Sequence, residues 1–180
     1  VHGVVPIAGG NGGQKYAFFT DRPNVSHKKV IFADMELSVK QVREVTGPLL
    51  DAFTRLMPQL APQLAAPSAA RLREIVAAPG TALFAAEAGG RIWGLLTLVW
   101  YDVPSGRKAW IEDVVVDAEA RGTGAGRALV AAALEHAAVI GAGKVLLTSN
   151  PAREAARALY RKMGFEEAAT TVFAIKTDAK

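Results

Sequence analysis

VVVDAEARGTGAGRALV, residues 114–130, sets how the rest of the chain is read. Three valines lead into an acidic stretch, glycines alternate at 122, 124 and 126, and apolar residues then recur at helical spacing through Leu129, Val130, Ala133, Leu134 and Ala137. A buried strand therefore enters a helix through a turn almost without side chains. Glycine costs backbone entropy, so such a turn needs a reason. Between a strand and a helix N-terminus, unpaired N–H groups and the positive end of the helix dipole converge on one spot, which attracts anions. Without Cβ atoms a pyrophosphate can reach the peptide groups themselves. The exposed dipole supplies only about 0.3–1 kcal/mol. Each hydrogen bond to a charged acceptor adds about 1.5–3 kcal/mol, so the amides from Gly122 through Thr123, Gly124, Ala125 and Gly126 to Arg127 dominate, with Arg121 and Arg127 assisting.

The plainer alternative is a tight connector whose glycines only let helix and strand pack closely. A dinucleotide is the rival ligand, and its Gly-x-Gly-x-x-Gly fingerprint with a ribose-binding acid on the next strand is not matched. Leu129 stands where the third glycine belongs, and the next strand ends LLTSN without an acid. No Gly-Lys-Ser/Thr follows the glycines, so the P-loop pattern fails as well.

Outward from the turn, the chain alternates strands and helices. MELSVKQV opens the regular region. Leu49, Leu50, Phe53, Leu56 and Met57 then mark an amphipathic helix with Thr46 as N-cap and Pro58 as its stop. Ser68 caps a second helix carrying Leu72, Ile75 and Val76, which ends at Pro79-Gly80. TALFAAEA, the Gly89-Gly90 turn and RIWGLLTLVWY read as a hairpin, and AWIEDVVV continues it as a third antiparallel strand. Beyond the glycine turn come a helix ending near Gly141 and Gly143, the short strand KVLLT, a helix PAREAARALYRKM with Pro151 first, and a last strand TTVFAIK. The order β α α β β β α β α β predicts an α/β domain with a mixed sheet, not a doubly wound one.

One domain is expected from 180 residues. It runs over 35–180, preceded by an arm or leader at 1–34 to which no function is assigned. The absence of cysteine removes disulfides, thiolate metal sites and a covalent cysteine nucleophile. A formal charge of +4 favours anionic partners, but the basic residues form small separate groups without aromatic interleaving, which favours a small anionic molecule over nucleic acid. No apolar stretch reaches bilayer-spanning length and no secretory signal is visible, so a cytoplasmic protein is expected. His136 lacks the second histidine of a zinc helix, and Ser105 lacks the preceding glycine of a nucleophile elbow; no metal is expected.

RGTGAG, with IEDVVV before it and ALYRKMGF after it, resembles the GNAT superfamily of acetyl-CoA-dependent N-acetyltransferases. The similarity runs through about residues 35–176 in element order and is most specific in 111–130 and 150–165. It implies a mostly antiparallel central sheet flanked by helices and splayed where acetyl-CoA binds. It also implies that the backbone of Val114 and Val116, with Val115 between them, bonds the pantetheine arm as an added strand, and that the turn amides hold the diphosphate. Tyr160 falls where similar enzymes place a proton donor to the departing thiolate. Asn150 falls where an asparagine often contacts the cofactor, although Tyr160 follows it by ten positions where seven is usual. Helix capping is the alternative role for Asn150.

Attack on a thioester needs a neutral amine, and an alkyl ammonium is only roughly 0.04% deprotonated at pH 7. A general base is therefore useful. Glu112 stands nine residues before Arg121, where the family places that carboxylate; strand alternation directs its neighbour Asp113 to the opposite face. A surface salt bridge is the plain alternative for either acid, and core packing with Leu159 and Phe165 is the alternative for Tyr160. The implied reaction is direct transfer from acetyl-CoA to an amine in a ternary complex. Its acceptor site is expected between the helices of 46–78 and the strand ends near 100–113, where Trp100, Tyr101 and Asp102 are candidate lining residues. A homodimer is compatible with this reading. The competing functions are a non-catalytic acyl-CoA sensor and a dinucleotide-binding module.

Overall fold

The computed structural model describes residues 30–32 and 35–177. Most of the N-terminal arm, 1–29 with 33 and 34, lies outside the described residues. Among the described residues, six strands lie side by side in chain order: β1 Val30–Phe32, β2 Met35–Gln41, β3 Thr81–Ala88, β4 Arg91–Val103, β5 Gly106–Val116 and β6 Lys144–Leu147. All pairings are antiparallel except β5 with β6. That one parallel pair needs a crossover, which α3, Ala125–Val139, supplies. The remaining helices are α1 Gly47–Leu60, α2 Ala69–Ala77 and α4 Glu154–Lys162.

The two sheet faces build two cores. Leu96, Leu98, Ala109 and Ile111 meet Leu129, Val130, Ala133 and Tyr160 on the side of α3 and α4. Leu83, Ala85, Leu95 and Val115 meet Leu49, Phe53, Leu56 and Leu72 on the side of α1 and α2. The long β4 and β5 thus form a slab covered by helices on both sides, and alternation along each strand separates the cores.

Local signals set most element ends. The Ser68 hydroxyl accepts from Arg71 N–H at 3.2 Å and caps α2. Gly141, at φ +72°, closes α3 with Ala142 N–H donating to Ala137 O at 2.9 Å. Gly164, at φ +89°, does the same for α4 through Phe165 N–H and Tyr160 O at 3.0 Å. Three expectations change. Thr46 occupies the N-cap of α1 without a side-chain cap, and Pro58 sits inside that helix. Proline at 58 gives up only the bond back to residue 54, and the helix runs two residues further to Leu60. The helix expected from Pro151 begins at Glu154, because Asn150 organises a turn before it: its Oδ1 accepts from Ala152 N–H and its carbonyl from Arg153 N–H, both at 2.9 Å. TTVFAIK forms no strand; Val172, Phe173 and Ile175 are exposed. Its apolar periodicity suits a strand, but a strand also needs a neighbour's ladder, and β6 pairs along one edge only.

Candidate functional site: a glycine turn beside an unpaired strand edge

β6 pairs with residues 108–111 of β5 and stops at Leu147, so from Glu112 onward β5 has no partner on that side among the described residues. Asp113 sits at φ +50°, a left-handed conformation that Asp tolerates better than most side chains. Leu95 pairs with Val115 and Thr97 with Glu112, so three steps on β5 match two on β4. This is a β-bulge, and it reverses the alternation. Glu112 and Val115 face α1 and α2, whereas Val114 and Val116 pack toward α3. The bare edge therefore starts at a twist in the strand, immediately before the glycine turn.

After Val116, Asp117 caps a 3-10 turn, Ala118–Ala120, by accepting from Glu119 N–H at 3.1 Å. Gly122 and Gly124 follow at φ +82° and +93°, where residues with a Cβ are strained. The amides of Gly122, Gly124, Ala125, Gly126 and Arg127 have no acceptor among the described residues. Ala128 N–H is the first to bond within the helix, to Gly124 O at 2.9 Å. Gly126 serves packing: a Cβ there would lie 3.3 Å from the Leu159 side chain and 3.6 Å from Val116.

These groups open onto a cavity of about 900 Å³. Val114, Val115, Val116, Arg121, Gly122, Gly124, Ala125, Gly126, Arg127 and Tyr160 all line it, with Gln59 and Leu60 of α1 on another wall. Thr123 does not; its hydroxyl donates to Ala120 O at 2.7 Å and tightens the turn from behind. Asn150 does not line it either, being engaged in the turn before α4. Among the described residues, no cluster of His, Asp and Glu could hold a metal ion.

Tyr160 is 9% exposed and packs edge-on against Phe165, with ring centroids 5.9 Å apart. Burial raises its pKa, and Arg153 offsets this in part, so the phenol keeps its proton at neutral pH. Glu112 lies on the opposite face of β5, in a separate recess of about 350 Å³ with Val99, Tyr101 and Trp110. Partial burial, and secondarily the charge of Asp113, raise its pKa above the usual glutamate value. Trp100 and Asp102 are absent from this recess. Alternation turns Trp100 toward α3, where its ring meets His136 at 5.4 Å, and Asp102 is paired with Arg107 at 2.8 Å.

A buried link between α1 and the turn carries no sequence motif. Asp117 is 3% exposed, ion-paired to Arg55 of α1, and 3.3 Å from Arg91. Gln59 Oε1 accepts from Ala118 N–H at 2.8 Å, and Arg55 donates to Ile92 O at 2.6 Å. Arg153 donates to Leu60 O, which ties the start of α4 to the same helix. An acid beside a turn reads as solvated from sequence; only the i, i+4 pair Arg55 and Gln59, next to the apolar face of α1, hinted at a polar contact.

A strand–turn–helix with free amides at the open edge of a mostly antiparallel sheet is the architecture of the acetyltransferase fold. Residues 49–165 match the family model described as the acetyltransferase (GNAT) family, and the chain belongs to that family. No curated protein sequence matches it. Solved structures share its fold. A transcriptional regulator from Bacillus halodurans C-125 is 25% identical with a TM-score of 0.67, covering 78% of this chain and 99% of that one. A Trypanosoma brucei acetyltransferase is 26% identical with a TM-score of 0.62 over the same shares. An aminoglycoside N-acetyltransferase in complex with CoA, 22% identical with a TM-score of 0.67, covers 79% and 95% and shows likeness of fold.

Proposed function

We propose that this protein transfers the acetyl group of acetyl-CoA to an amine, by direct attack in a ternary complex. The observation that carries the reading is the convergence of five acceptor-less amides and the unpaired edge of β5 on one cavity. The amides of Gly122, Gly124, Ala125, Gly126 and Arg127 hold the diphosphate, with the guanidinium groups of Arg121 and Arg127 at its margin. The backbone of Val114 to Val116 bonds the pantetheine amides as an added strand. Bound acetyl-CoA supplies an activated acyl carbon and a thiol leaving group.

Glu112 accepts the ammonium proton, through water, so that a neutral amine can attack. Partial burial, with the charge of Asp113, raises its pKa toward the working pH. Tyr160, held protonated by burial, donates to the sulfur as the carbon–sulfur bond breaks. Asn150 contributes by shaping the turn before α4, which presents Tyr160. The test is CoA-thiol release with an amine panel: Glu112→Gln and Tyr160→Phe should keep acetyl-CoA binding and slow release. Unchanged turnover in both would remove the two catalytic assignments. Binding of acetyl-CoA without turnover of any amine would favour a sensor instead.

A further inference from the structure

The recess around Glu112 is built for a particular kind of acceptor. Val99 and Tyr101 on β4 and Trp110 and Glu112 on β5 share one sheet face, with Val99 directly opposite Trp110. Trp110 Nε1 donates to the Tyr101 hydroxyl at 3.0 Å, which satisfies the indole N–H and leaves the ring faces to meet a ligand. Tyr101 is 43% exposed, an unusual position for a large ring that completes no core. The Glu112 carboxylate, at the inner end, makes no side-chain hydrogen bond or ion pair with another described residue. Lys108 lies on the same face, opposite Tyr101 in register, and puts a positive charge at the outer end. Four residues of strand separate the two charges, about 13 Å.

Resting on the acetyltransferase reading, we infer that the acceptor is a monoamine with a flat apolar body. Its ammonium sits at Glu112, and its body lies against Trp110, Tyr101 and Val99. Desolvated aromatic faces reward a flat apolar group and attract a nearby cation. A polycation would place its second charge over the rings or beside Lys108, while Glu112 is the one carboxylate that lines the recess. Such amines should be poor acceptors.

The experiment is a comparison of kcat/KM for CoA release with 2-phenylethylamine, tryptamine, spermidine and kanamycin, together with calorimetric titration of acetyl-CoA. The aromatic monoamines should exceed the polycations by at least about tenfold. Trp110→Leu should raise KM for the aromatic amines about tenfold and leave acetyl-CoA affinity unchanged. Lys108→Glu, on the strand surface, should narrow the gap by improving spermidine. Higher kcat/KM with spermidine or kanamycin would overturn the inference and leave the acetyltransferase reading standing. So would acetyl-CoA binding with no turnover of either aromatic amine. Absence of acetyl-CoA binding would instead overturn the reading on which the inference rests.

Discussion

Asp117→Asn isolates the charge that ties α1 to the glycine turn. The amide keeps an oxygen for Glu119 N–H but removes the anion shared by Arg55 and Arg91. Breaking a fully buried ion pair costs about 3–5 kcal/mol. Asp117 is that deep, but the Arg55 side chain is 30% exposed and can recover part of its hydration, so about 1.5–3 kcal/mol is expected. For a domain of this size that lowers Tm by roughly 4–10 °C. The assay is urea denaturation of wild type, Asp117→Asn, Arg55→Met and the double variant. The midpoint should fall with unchanged m-value, and the cycle should show coupling of at least about 1 kcal/mol. Acetyl-CoA affinity should fall too, because the same residue orders the backbone entering the turn. Additivity within about 0.3 kcal/mol would refute the link.

Tyr160→Phe should lower kcat about 10- to 100-fold with little change in acetyl-CoA affinity, as read by steady-state kinetics beside calorimetry. For Glu112, the acid limb of kcat/KM should lie above the ordinary glutamate range, and Glu112→Gln should abolish that limb. Because folding raises this pKa, the folded state binds the proton more tightly and the charge costs stability once pH rises through the raised value. Glu112→Gln should therefore be the more stable protein at pH 7, with the difference closing as pH falls below the glutamate range in denaturation curves. Gly122→Ala meets open space but must hold φ +82°, so it should cost about 1–2 kcal/mol in stability through backbone strain and weaken acetyl-CoA binding.

The turn at 121–127 was legible because its chemistry is local: glycines, a preceding apolar strand and a following helical period occupy adjacent positions. The helix and strand order from α1 through α4 was legible for the same reason. Asp113 was not. Its left-handed backbone lies within IEDVVV, a run that reads as uninterrupted strand, and the extra residue reverses which valines meet α3. Alternation followed from Trp100 would have placed it away from Tyr101, but without a known covered face it could not say which ring met α3. Asp117 became a buried anion only through Arg55, 62 positions earlier in the chain. TTVFAIK shows the converse limit: apolar periodicity describes a face, while a strand is made by a partner that the segment itself does not name.

The most direct measurement is calorimetric titration of the full chain with acetyl-CoA, paired with NAD as the competing dinucleotide. One saturable site for acetyl-CoA, with a Kd in about the micromolar range, and no heat with NAD is the expected result. No saturable acetyl-CoA binding up to about millimolar ligand, or tighter binding of NAD, would contradict the assignment of the turn amides to a coenzyme A diphosphate.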